Sequence, residues 1–151
     1  MKQTPPECPS VFTPNFGRKL VKYLGGDPTL IKDHWCWEEF AKAYPKLRRK
    51  AEHYFERATT GNPANAALCM ARHCKSKRTW AKKVIESAKT CDPTYPAYFM
   101  VRYFGSSRKW AEKVIENSGI GDPFDVAHMM VGDCGSSEEW YEKVKTNRKK
   151  K

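Results

Sequence analysis

The chain has 151 residues, a formal net charge of +11 and a pI near 9.4, with 40% hydrophobic and 13% aromatic residues. That length bounds it to one compact domain or one short repeat array, and the apolar content argues against a low-complexity chain. The charge excess must be solvated or matched by an anionic partner: nucleic acid, an anionic membrane surface or an acidic protein.

Residues 1–15 hold Pro5, Pro6, Pro9 and Pro14 and no apolar run. They read as an extended tail and not as a signal peptide. No stretch reaches the ~18 apolar residues of a membrane span. The expected compartment is therefore the cytoplasm, or the nucleus in a eukaryotic host, and not the secreted space. Free thiols are expected there in place of a disulfide framework.

Residues 16–60 read as N-terminal helices. "NFGRKLVKYLGG" predicts a short helix near residues 17–24. A second opens at Asp27-Pro28, with Leu30, His34, Trp37 and Ala41 at helical spacing. A third starts near Pro45, where Leu47, Ala51, Tyr54 and Phe55 form a stripe. Asp27 to Asn62 spans 35 residues, so this region reads as a diverged, longer repeat that caps the downstream array.

From Gly61 the chain falls into ungapped rows at a thirty-residue period: residues 61–90, 91–120 and a shorter last row, 121–147, with a basic tail at 148–151. Seven columns are identical in all three rows: Pro63/Pro93/Pro123, Ala67/Ala97/Ala127, Met70/Met100/Met130, Ser76/Ser106/Ser136, Trp80/Trp110/Trp140, Lys83/Lys113/Lys143 and Val84/Val114/Val144. A fixed period of this size marks stacked supersecondary units.

Each row reads as two helices. The first opens at Asn62, Asp92 or Asp122 as N-cap, with Pro at the first helical position. Ala97, Met100, Val101 and Phe104 fall on one stripe of it. Gly105 and Gly135 suit a left-handed helix end. Ser136 with Glu139 then reads as a capping box, and Ser106 as a cap without the glutamate. The second stripe is Trp110, Ala111 and Val114, widened by Ile115. Neither helix buries its stripe alone, so neighbours must stack. The expected fold is all-α: a short α-solenoid of two-helix hairpins, with Met70, Trp80, Val84, Met100, Trp110, Val114, Met130, Trp140 and Val144 as its repeating core. Lys145 interrupts the last stripe where Ile85 and Ile115 stand, as a terminal cap requires.

In architecture the rows resemble tetratricopeptide-type and Sel1-type solenoids. "DPTYPAYFMVRYF" and "RKWAEKVIE" also resemble a helical repeat found in proteins of phages and large viruses. The resemblance covers residues 61–146. It implies a helical array and names no activity.

Cys69, His73 and Cys74 lie within six residues, and a zinc site would use such residues. The repeat frame places Cys69 in the column of Phe99 and Met129 and Cys74 in that of Phe104 and Cys134, which are core columns. A free cysteine packs there as a small hydrophobe, so no metal and no cofactor is expected. Cys91 takes a turn position held by Gly61 and Gly121 and is expected to be exposed and oxidisable. His34 and Cys36 make a conceivable nucleophile pair, but on a helix they point about 200° apart. With no phosphate loop, nucleophile elbow or HExxH, no catalytic residue is assigned and the chain is read as no enzyme.

Charge is the remaining signal. Residues 1–60, 61–90, 91–120 and 121–151 carry +4, +6, +1 and 0. The surplus gathers in Arg48, Arg49 and Lys50 and in Arg72, Lys75, Lys77, Arg78, Lys82 and Lys83; Lys113 continues the ladder begun by Lys83. This is the candidate anion or nucleic-acid patch. Two functions fit it. One is an interaction module that binds a protein partner, an acidic one by charge, through its solenoid surface. The other is a nucleic-acid-binding protein that uses the same cations. The neutral, acid-bearing last row favours the first.

Overall fold

The structure, a computed structural model, describes residues 48–58 and 62–148. Seven α-helices follow one another there: α1 (Arg48–Arg57), α2 (Pro63–His73), α3 (Arg78–Ser87), α4 (Thr94–Phe104), α5 (Arg108–Asn117), α6 (Pro123–Cys134) and α7 (Glu138–Arg148). Among the described residues there is no strand, and they are all-α. The helices expected near residues 17–24 and after Asp27, the His34/Cys36 pair, the N-terminal tail and residues 149–151 lie outside the described residues, as do the side chains of Lys50, Tyr54 and Arg148.

Sequence chemistry sets the helix ends. Asn62 caps α2 by accepting the Asn65 amide at 3.0 Å, with Pro63 at the first helical position. Asp122 caps α6 through the Phe124 amide at 2.9 Å. Asp92 accepts both the amide and the hydroxyl of Thr94, at 2.8 and 2.6 Å, and α4 begins one residue later than its siblings. The C-terminal turns share one geometry. Gly105 and Gly135 are left-handed, with φ 64° and 73°. The amides of Ser76, Ser106 and Ser136 return to the carbonyls of Met70, Met100 and Met130 at 3.0–3.2 Å. Lys75 holds the same left-handed place in the first unit with φ 59°, a conformation that side chains with a Cβ adopt at a cost.

The expected capping box is not formed. Ser137, one residue later than expected, caps α7 by accepting the Trp140 amide at 3.1 Å. The hydroxyls of Ser76 and Ser136 are buried and donate instead to Glu52 and Glu112, each at 2.7 Å. A carboxylate in reach from the neighbouring unit is a better acceptor than local backbone.

The core follows the expected stripes. Met70, Met100, Met130, Ala67, Ala97 and Ala127 are fully buried, as are Ala81, Ala111 and Ile85. Val84, Val114, Val144 and Trp140 are buried, and Trp80 and Trp110 are half-buried against the core. Each first helix packs on its own second helix: α2 on α3, α4 on α5 and α6 on α7. The second helices α1, α3 and α5 also reach the first helix that comes after them, and α2, α4 and α6 pack side by side. Burial of these apolar stripes, at about 25 cal/mol per Å², is the main force holding neighbours together.

Polar bonds then fix the register. Trp80 Nε1 donates to Glu56 Oε1 at 2.8 Å, Trp110 Nε1 to Glu86, and Trp140 Nε1 to Glu116 at 2.7 Å. Arg48 Nη1 donates to the Lys75 carbonyl at 3.2 Å, Arg78 to the Phe104 carbonyl and Arg108 to that of Gly135. Both sets recur at 30-residue intervals, and both include α1. The spacing therefore continues upstream of Gly61: Arg48, Ala51, Phe55 and Glu56 stand thirty residues before Arg78, Ala81, Ile85 and Glu86.

Candidate anion-binding surface

The turn between α2 and α3, Cys74–Lys77, is held from two sides. Arg48 of α1 bonds its Lys75 carbonyl at 3.2 Å. Arg78, at its far end, bonds the Phe104 carbonyl and lays its guanidinium 5.8 Å from the Phe104 ring centre. These bonds seat the turn against the C-terminal end of α4, where Arg102 and Tyr103 stand.

The result is a cluster of cations. Arg72, Lys75 and Lys77 are exposed and make no ion pair with any described residue. The nearby carboxylates are already engaged. Glu52 pairs with Arg48 at 3.4 Å and accepts Ser76. Asp133 pairs with Arg102 at 2.8 Å and accepts the Tyr98 hydroxyl at 2.5 Å. Among the described residues, no carboxylate is left to offset the charge of Arg72, Lys75 and Lys77, and the turn carries positive charge without a described counter-ion.

The other predicted cations are placed differently. Arg48 and Arg78 serve as the inter-unit bonds described above. Lys82 is half-buried, with Nζ 4.8 Å from the Trp110 ring centre, a cation–π contact inside the fold. Arg49 is exposed on α1. Lys83, Lys113 and Lys143 are exposed, and Lys143 Nζ lies 3.3 Å from Oε2 of Glu116, the glutamate that accepts Trp140. Lys113 lines a cavity of about 370 Å³ with Glu86, Asn117 and Ser118, at the opposite end of α3 and α5 from the cationic turn. The structure thus gathers Arg72, Lys75 and Lys77, with Arg78 beside them, and leaves Lys83 and Lys113 on a mixed-charge rim.

Tyr98, Arg102 and Asp133 form a polar knot that the repeat frame does not announce. Tyr98 is buried, and burial followed by its bond to Asp133 pushes its phenol up to about 12. The Tyr98 bond, helped by Arg102, holds the Asp133 carboxyl below the usual range. The only sequence signal is that residues 68, 98 and 128 read Leu, Tyr and His, a column too mixed to assign a pairing.

Two of the described thiols, Cys91 and Cys134, are held toward the protonated form. Cys91 is buried, contrary to the expectation of an exposed turn residue, because the turn folds inward over α2. Burial pushes its thiol up, and that of Cys134 likewise, away from the reactive thiolate. Cys74 is buried, Cys69 half-buried and His73 exposed. Among the described residues no three His, Cys, Asp or Glu side chains gather to hold a metal ion, and no helix is long and apolar enough to cross a membrane. Comparison with protein-family models, with curated proteins and with solved structures gave no match.

Proposed function

We propose that the chain is a short α-solenoid of stacked two-helix hairpins with a 30-residue period, and that it works as a non-enzymatic module binding a protein partner. The observation that carries this reading is the pair of recurring bonds between units, tryptophan to glutamate and arginine to backbone carbonyl. They support a stack of equivalent units, and such stacks present extended surfaces to partners. The Arg72–Arg78 turn supplies an anion-seeking end, so the partner is acidic where it meets that end.

A nucleic acid is the less favoured ligand because the cations do not continue along the stack. The lysine rim beyond the turn is interleaved with Glu86 and Glu116, and α6 and α7 expose Asp125, Glu138, Glu139 and Glu142. A phosphate backbone needs a longer track of one sign.

Fluorescence anisotropy separates the two. Labelled single-stranded and duplex oligonucleotides and a labelled acidic peptide are titrated with the full chain from low to near-physiological salt. The module reading expects peptide binding to persist and oligonucleotide binding to fade. Oligonucleotide affinity that survives near-physiological salt with a steep log–log slope would replace it with nucleic-acid binding.

A further inference from the structure

Tyr95, Phe99, Arg102 and Tyr103 lie at i, i+4, i+7 and i+8 of α4 and so share one face. Tyr103 is 63% exposed and Tyr95 39%, the two most exposed large apolar side chains among the described residues. Phe99 stacks on Tyr103, ring centres 5.7 Å apart at 19°, and its ring centre lies 5.2 Å from that of Tyr98. The Arg102 guanidinium lies 5.6 Å from the Tyr103 ring centre. The equivalent positions in α2 are Asn65, Cys69, Arg72 and His73, and in α6 Asp125, Met129, Gly132 and Asp133. The aromatic stripe is therefore peculiar to the middle unit. It runs toward the end of α4 that Arg78 ties to the cationic turn.

Two properties meet at that end. Tyr95 and Tyr103 are exposed, and Arg72, Lys75 and Lys77 of the nearby turn make no ion pair with a described residue. Rings locked by stacking lose little freedom on binding, which suits them as anchors. The Tyr103 ring is already in contact with Phe99 and Arg102, which lowers its worth as a platform for a nucleobase.

We propose that the Tyr95–Phe99–Tyr103 stripe and the Arg72–Lys77 turn form one docking site for an acidic peptide segment that also carries apolar side chains. Its carboxylates meet Arg72, Lys75 and Lys77, and its apolar side chains cover the stripe. This rests on the protein-partner reading and names the chemistry of that partner.

The test uses the full chain and two fluorescein-labelled peptides of equal length, one all glutamate, one with glutamate and leucine blocks, with oligothymidylate as competitor. The Glu–Leu peptide should bind more tightly than the all-Glu peptide. R72E/K77E should weaken it by about tenfold or more, the loss expected for charge-assisted contacts. Y95A/Y103A should weaken the Glu–Leu peptide by about tenfold and leave the all-Glu peptide unchanged. Tyr103→Ala alone, at the most exposed ring, gives the same sign if the double variant folds poorly; circular dichroism checks each fold.

Equal binding of both peptides with no effect of Y95A/Y103A overturns the proposed site and leaves the protein-partner reading standing. Absence of binding by either peptide to folded protein also overturns it. Displacement of the peptide by oligothymidylate at near-physiological salt overturns both the site and the reading beneath it.

Discussion

Glu116 uses both carboxylate oxygens between two neighbours of the next unit: Oε1 accepts Trp140 Nε1 at 2.7 Å, and Oε2 lies 3.3 Å from Lys143 Nζ. The tryptophan and lysine columns of the sequence thus converge on one glutamate thirty residues after Glu86, which accepts Trp110. Thr146 stands where a further glutamate would, so the ladder ends with α7.

Trp140→Phe keeps most of the buried ring and removes the donor. It should cost about 1 kcal/mol, the net worth of a typical hydrogen bond. Trp140→Ala should cost about 3–5 kcal/mol, because the core loses the ring itself. Glu116→Gln keeps an oxygen for Trp140 and should cost less than Glu116→Ala. Urea unfolding of the four variants checks the order.

Lys75 occupies the left-handed place that Gly105 and Gly135 fill in the later units, with φ 59°. Lys75→Gly should stabilise the fold by about 0.5–1 kcal/mol, the left-handed penalty less the entropy of glycine. Gly105→Ala should destabilise by a similar amount through backbone strain alone, since a Cβ there meets nothing within 4 Å. Gly121→Ala should cost more, because its Cβ would fall on the Asp92 carboxylate that caps α4. Thermal melts compare the three.

Tyr98 gives a pH signature. Its folded pKa of about 12 lies above the ordinary tyrosine value of 10.0. The folded state therefore holds this proton more tightly, and the stabilisation is present below pH 10.0 and is lost as pH rises towards 12. Ultraviolet titration of tyrosinate should show a late-ionising component that is absent in Tyr98→Phe. Asp133 has the opposite sign: its lowered pKa contributes above the ordinary carboxylate value and fades as pH falls through the folded one. Tyr98→Phe should weaken that acid dependence too, since the Tyr98 bond is the first cause of the Asp133 shift.

Ser136→Ala and Ser137→Ala separate two neighbouring hydroxyls. The first should cost about 1 kcal/mol by stranding a half-buried Glu112 contact. The second should cost about 1 kcal/mol by removing the α7 cap. Loss of helicity confined to the second is read by circular dichroism.

Identical columns made the apolar stripes legible: the methionine, alanine and valine positions that repeat in sequence are the buried ones. The register of α1 was harder to see. Lys50 stands in the tryptophan column and His53 in the lysine column, so the identities that betray the later rows are missing, and only Arg48, Ala51 and Glu56 keep the pattern. The serine column misled because a hydroxyl before a helix fits a local cap and a cross-unit bond equally well, and only a carboxylate in reach decides. Cys91 misled for a related reason: its column holds glycines, yet the turn folds inward. The cationic turn was visible as composition, but a string of lysines does not reveal that Lys82 leans on Trp110 while Arg72, Lys75 and Lys77 are left to solvent.

A partner that meets the molecule at the cationic turn and the adjoining end of α4 leaves a footprint that NMR reads directly. The full chain is titrated with the Glu–Leu peptide and its amide chemical shifts are mapped. Shifts should be confined to the amides of residues 72–78 and 95–104, with Lys83, Lys113 and Lys143 unmoved. Shifts centred on that lysine rim, or spread evenly over the helices, would contradict docking at the turn.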